Sequence, residues 1–336
     1  MPAPGLMHSL MGRLFHWLQA RSAPKLRPID LSLGLPAVSC LAAQIKAHQF
    51  EQFEHAFAQL SADERFVALS ALAQSNLPND ALDPWVASST SFVAPLFKGT
   101  SVLYRAWQVR GDRIAAEVSV ETFDEYEALL QQSWGHLITA HRRAEHEPEP
   151  LTRLIPVAMS LEVSRNTLDE IFDCYKKTGV PHLGATMYMV EALSPKWLGS
   201  REEVFAFARA HAEHFPQQTA GIAYAHVEHW IYENKIRGNE ASQIYFARKD
   251  VRQEILDCWQ RENRFANRTD YFRFAALNTY AFCFLMMEDD ARLTDALNLI
   301  GHYCTPKPWE YVSIDPYWLF VTTRAELGLP ELQERS

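Results

Sequence analysis

The sequence predicts an all-α fold, an α-solenoid built of antiparallel helix pairs with an amphipathic helix at its N-terminus. Three observations predict it. Apolar residues recur at steps of three and four behind polar caps and stop at Gly, Asn or Pro, which is the period of a helix with one buried face. Strand signals are nearly absent: there is no Asn-Gly or Asp-Gly turn, and the best alternating run, Ile114 to Val120, is short. Paired helices return every 30 to 45 residues or so, the cadence of units that bury their stripes only by stacking on the next.

The elements follow in order. Leu6, Met7, Leu10, Met11, Leu14, Trp17 and Leu18 form one apolar stripe on a helix within a segment that carries Arg13, Arg21, Lys25 and Arg27 and no acid. His8, Ser9, Gly12, Arg13 and His16 interrupt that stripe, so it lacks the unbroken apolar region of a secretory signal. Two roles compete for this arm: an interfacial or docking helix through Leu10, Leu14, Trp17 and Leu18, or a first helix packed on its own domain. Pro24, Pro28 and Pro36 mark a linker. The arm and linker, 1–29, precede a helical-repeat domain over 30–330, with a candidate joint at His146–Pro150.

Within the domain, helices are expected near 37–48, 50–60, 80–88, 91–109, 151–163, 166–178, 182–193, 217–236, 240–263, 270–287, 289–303 and 316–327. Ser61 with Glu64, Thr122 with Glu125 and Ser200 with Glu203 read as capping boxes that launch three more, the longest through Phe123, Tyr126, Leu130, Trp134, Leu137 and His141. Tyr271 to Met287 is apolar nearly all round, so its helix should be enclosed by neighbours. Trp107, Trp134, Trp197, Trp230 and Trp259 keep no fixed spacing, so the repeat rests on cadence and not on a consensus.

Composition narrows the function. The chain has 336 residues and a net charge of −9, which divides into +4 before Asp30 and −13 from there on. An acidic body is a poor match to nucleic-acid phosphates and a good one to a basic protein. With 48% hydrophobic residues and only 13 glycines, collagenous and disordered readings fall away. The five cysteines, Cys40, Cys174, Cys258, Cys283 and Cys304, show no C-x-x-C pair and read as reduced thiols, which points to the cytoplasm. No stretch of 18 apolar residues is present to span a membrane.

Motifs of chemistry are missing. The sequence has no G-x-G, no P-loop, no G-x-S-x-G and no H-E-x-x-H. Two constellations remain. His211-x-x-His214 and His226-x-x-His229, with Glu228 and Glu233 nearby, each place two imidazoles on one helix face, and pairs on adjacent helices would hold a metal if they converged. Tyr188, Glu191, Lys196, Trp197, Tyr224, His226, Trp230 and Tyr232 supply aromatic and charged side chains along consecutive helices, the material of a partner-binding face. The mixed runs at Arg142-Arg143 and Arg248–Arg252 read as solvated faces.

Two phrases add a resemblance. Ala106-Trp107-Gln108-Val109-Arg110-Gly111 ends a helix, and Leu193-Ser194-Pro195-Lys196-Trp197-Leu198-Gly199-Ser200 precedes one beginning Arg201-Glu202-Glu203-Val204. With Trp85, the Trp134-to-His141 helix and the Tyr175-to-Tyr188 stretch, they resemble a bacterial family of tetratricopeptide-like helical proteins classed as a domain of unknown function, over roughly residues 45 to 300. The resemblance implies a fold and supplies no catalytic residue. It reads Gly199 as a position of special backbone angle, and Leu198 stands where a small residue is expected.

The expectation is therefore a cytoplasmic, non-catalytic scaffold or adaptor that binds a basic protein, such as a toxin or effector, and needs no cofactor. A metal-dependent enzyme using the histidine pairs and a peripheral membrane protein using residues 6–18 are the alternatives.

Overall fold

The computed structural model describes residues 29–74, 79–111, 118–264, 270–313 and 315–332, with the backbone alone for 79–81 and 240–243. The arm with Leu10, Leu14, Trp17 and Leu18 lies outside the described residues, as does most of the alternating run. Among the described residues the chain is all-helical and holds no strand. Its helices are α1 (Ala37–Lys46), α2 (Phe50–Ala58), α3 (Ala62–Ala73), α4 (Asn79–Ser88), α5 (Val93–Arg110), α6 (Val120–Arg143), α7 (Pro148–Ser160) and α8 (Arg165–Lys177). They continue as α9 (Leu183–Ala192), α10 (Arg201–His214), α11 (Ala220–Ile231), α12 (Lys249–Asn263), α13 (Phe272–Met286), α14 (Asp290–Ile300) and α15 (Pro316–Glu326). No helix of the described residues is long and apolar enough to cross a membrane.

Local chemistry explains most boundaries. Ser61 and Glu64 form the capping box at α3, and the Ser200 hydroxyl accepts the Glu203 N–H at α10. At α6 the cap is Ser119 and not Thr122: Ser119 is extended and its hydroxyl accepts the Thr122 N–H at 3.2 Å, so the helix starts one turn's reach earlier. Of the run His146–Pro150, only the first two residues lie in the short connection, because Pro148 already takes the first position of α7, where a missing N–H costs nothing. α6 and α7 pack on each other across it. The stretch expected as one helix over 217–236 divides into a 3-10 turn at Pro216–Gln218, α11, and a π-helical turn at Tyr232–Ile236.

Consecutive helices pack in pairs, and alternate ones also touch: α5 on α7, α7 on α9, α9 on α11 and α11 on α13. This inner row is buried on nearly every side. α7 buries Pro148 through Met159, α11 buries all of Ala220–Ile231, and α13 buries Ala276–Phe284. By contrast α8 buries only the stripe Leu168, Ile171, Phe172 and Tyr175. Each large side chain fully withdrawn from water contributes roughly 1.5–3 kcal/mol, so the inner row carries most of the hydrophobic stabilisation.

Two glycines set close approaches. A Cβ on Gly199 would lie 2.4 Å from the Leu193 carbonyl oxygen, so glycine is required there by contact with backbone and not by a left-handed angle. A Cβ on Gly184 would lie 2.7 Å from the Phe66 ring, which lets α3 press onto α9. The early and late parts of the chain also meet. Asp63 Oδ2 accepts the Tyr271 N–H at 2.6 Å, and Phe66 and Phe272 pack with ring centres 5.7 Å apart.

Candidate functional site: a charged cage on the inner helices

α9 and α11 each carry one carboxylate toward the same place. Glu191 lies in the last turn of α9, and Glu228 lies on α11 four residues after Tyr224, on the same face. The turn after α9, tightened by the Trp197 N–H on the Ser194 carbonyl at 2.9 Å, brings in Lys196. The segment after α14 supplies Lys307 and Tyr311. That segment is anchored by Trp309, which is fully buried and donates its indole N–H to Asn278 Oδ1 at 2.8 Å. Asn278 in turn donates to the Tyr303 carbonyl at 2.9 Å.

The resulting cage alternates in sign. Lys307 Nζ lies 2.7 Å from Glu191 Oε2, and Lys196 Nζ lies 3.5 Å from Glu191 Oε1 and 2.7 Å from Glu228 Oε2. Tyr311 donates to Glu228 Oε1 at 2.5 Å, and Tyr224 donates to the Tyr311 oxygen at 2.9 Å. Both ammonium groups also face the Tyr311 ring, at 5.6 and 5.7 Å from its centre. Exposure is graded: the Glu228 side chain is 0% exposed, Glu191 12%, Lys196 14% and Lys307 34%. Lys307 is the mouth. Burial opposes ionisation of Glu191, but the neighbouring ammonium groups of Lys307 and Lys196 hold its carboxyl down at about 2. Burial likewise works against the Lys307 ammonium, and Glu191 and Glu228 overcome it and raise its pKa. Burial pushes the Tyr224 and Tyr311 phenols well above their ordinary range.

A second charged group lies deeper. Arg153 and Glu149, one turn apart on α7, pair at 2.9 Å with no exposure, and His182 donates from Nε2 to Glu149 at 2.8 Å while its Nδ1 accepts the Ala185 N–H. Arg153 also donates to the Phe66 carbonyl at 2.8 Å and to Tyr104 at 3.3 Å, and its guanidinium lies over the Phe66 ring. Burial works against the Glu149 carboxylate, and Arg153 and His182 more than offset it, so its pKa is lowered. Tyr188 spans the two groups: burial raises its phenol foremost, and it lies within electrostatic reach of Arg153 and Glu149 on one side and Lys307 on the other.

A third arrangement lies between α10, α11 and α12. His226 Nε2 donates to Glu254 at 2.9 Å and its Nδ1 accepts the Tyr245 O–H at 2.7 Å, while Arg209 holds Glu254 with two hydrogen bonds. These side chains line a cavity of about 370 Å³ with Arg201, Phe205 and Asp250. Burial lowers the His226 pKa and raises the Tyr245 phenol.

The residues singled out from sequence therefore divide. Glu191, Lys196 and Tyr224 come together in the cage, with Tyr188 beside it. Trp197 instead packs edge-on against Trp107 at 6.4 Å, which joins the two phrases that carry the family resemblance. Trp230 packs on Phe246 and Phe282, and Tyr232 lies in the π-helical turn. The histidine pairs do not converge. His211 bonds Gln218, His226 bonds Tyr245 and Glu254, His229 packs on Phe205 and Tyr245, and His214 is exposed beside Phe215. Among the described residues, no three His, Cys, Asp or Glu side chains gather as a metal ion would need. Burial drives both His211 and His229 to about 4, so both are neutral packing groups at neutral pH.

Sequence reasoning missed Glu149, Arg153, His182, Lys307 and Tyr311 as members of a site, and it set Glu228 beside the histidine pairs, whereas the structure turns Glu228 toward Lys196 and Tyr311. One signal was available, Glu149 and Arg153 one turn apart inside an otherwise apolar helix. Among the described residues all five cysteines are free thiols, and burial pushes those of Cys258, Cys283 and Cys304 upward. No protein-family model, curated protein or solved structure matches the chain.

Proposed function

We propose that the protein is a non-catalytic helical-repeat scaffold, tetratricopeptide-like in the stacking of its helix pairs, that binds a basic protein partner. One observation carries the reading: two carboxylates on successive inner helices, Glu191 and Glu228, converge on the ammonium groups of Lys196, from the turn after α9, and Lys307, from a distant segment. The stacking of alternate helices supports the repeat, since each pair buries its stripe against the next. The charge states support binding over proton transfer. Glu191 stays ionised and Lys307 stays protonated across the neutral range, whereas an acid–base catalyst needs a group that exchanges protons there. The acidic body would steer a basic toxin or effector toward the surface, with an on-rate that falls as salt rises. Affinity capture from the native cell at low and high salt tests this. A basic protein retained by the wild type at low salt and lost at high salt is expected, and recovery of no partner in either condition refutes it.

A second reading, an enzyme acting on a small molecule, is favoured by the Tyr245–His226–Glu254 chain on the wall of the cavity between α10 and α12. Turnover in a hydrolase substrate panel that disappears in His226→Gln would support it, and equal background in both proteins ends it. Peripheral membrane contact through residues 6–18 is tested by deleting residues 1–29. Release from anionic vesicles is expected, and unchanged binding refutes it.

A further inference from the structure

We infer that Lys307 is a built-in stand-in for a lysine of the partner, so that the cage is an ammonium-recognition site held closed by the chain's own segment until a partner lysine replaces it. The inference rests on the scaffold reading and adds the group that is recognised and the group that guards it.

Lys307 arrives from a segment 116 residues beyond Glu191 and makes its ion pair at the rim, while Glu228 and Glu191 lie inward. The backbone of that segment is fixed independently of Lys307, by Trp309 in the core and by the Asn278 bonds. The lysine side chain can therefore leave Glu191 without displacing the segment. What it would leave behind is a carboxylate at 2.7 Å and the face of Tyr311, with Glu228 behind it still paired to Lys196, so that two carboxylates face one ammonium and one negative charge is left for an incoming primary ammonium. Carboxylate plus aromatic face is the chemistry that selects ammonium groups. The occupant fitted by this geometry is a lysine on a basic polypeptide, since the −13 body attracts a polycation and the position Lys307 vacates is that of a single ammonium group.

The probe is a fluorescein-labelled peptide of alternating Gly and Lys, read by fluorescence anisotropy at low salt. Lys307→Met keeps the apolar stem and removes the ammonium. We expect it to bind the peptide roughly tenfold more tightly than the wild type, with the gain abolished in Lys307→Met/Glu191→Gln. Lys176→Met removes the same charge from the surface of α8 and is expected to give no such gain. The inference is overturned if Lys307→Met shows no gain, if the gain survives Glu191→Gln, or if Lys176→Met matches it, the last meaning net charge alone. Binding of spermidine in place of the peptide would overturn the polypeptide occupant. Should Lys307→Met fail to fold, the wild type gives the answer. Acetylation of Lys307 by a small reagent, followed by mass spectrometry, should quicken severalfold when peptide is added, and an unchanged rate refutes displacement. A native partner that is captured but leaves Lys307 acetylation unchanged would spare the scaffold reading and sink this one.

Discussion

The two charged groups on the inner helices differ in how they are closed. Around Glu149, Arg153 and His182 every partner comes from the packed helices or from α3, and neither member of the ion pair is exposed beyond 1%. Around Glu191, Lys196, Glu228 and Lys307 one cation comes from a distant segment, and a third of it faces water. Ionised groups are costly to bury and are stabilised there only when each finds its counter-charge and hydrogen bonds. The first group meets that condition permanently. The second meets it through a side chain that reaches the surface, which is the difference between a sealed group and an open one.

Breaking the sealed group should have the largest effect. Arg153→Ala leaves the Glu149 carboxylate without its main counter-charge and should destabilise the fold by roughly 3–5 kcal/mol in denaturant titration. Glu149→Gln/Arg153→Met should recover much of that, and failure to recover would mean that the hydrogen bonds to Phe66 and Tyr104 matter more than the charge. Next comes acid. Because Glu191 titrates at about 2 in the fold and near 4.5 in the open chain, its contribution is fully present above pH 4.5 and is lost as pH falls toward 2. The wild type should therefore lose on the order of 2 kcal/mol over that window that Glu191→Gln does not lose. Smallest is the rim. Lys307→Met should cost about 1 kcal/mol or less, and the cost should shrink as salt is raised, whereas that of Arg153→Ala should barely respond. Equal salt dependence in the two variants would erase the distinction between the sealed group and the open one.

Much of the architecture was legible because helix signals are local. A hydroxyl three residues before a glutamate and an apolar residue at every third or fourth position are features of neighbouring residues, so α3 and α10 were placed with their caps. The cap of α6 was misplaced because both Ser119 and Thr122 can serve, and backbone conformation decided between them. Gly199 was recognised as special for the wrong reason: the Leu193 carbonyl, not a left-handed angle, excludes a side chain. Of the cage, Glu191, Lys196 and Tyr224 were grouped because they lie on consecutive elements. Lys307 and Tyr311 were invisible, since nothing local announces that a loop 116 residues later crosses the same inner face. The failure of the histidine pairs has the same origin. Spacing fixes which face of its own helix a side chain shares, and only packing fixes what that face meets.

The hydrogen bond from Tyr271 to Asp63 joins positions 208 residues apart. A row of helices that touch only their neighbours behaves like a coil spring, stretching under load and tolerating loss of its end units. A clasp between an early helix and a late one makes the two ends of that stretch hold or yield together. Pulled from its ends, such a molecule should hold until the clasp opens and then lengthen abruptly, and removing α13 onward should weaken α3 as well as the helices beside the cut.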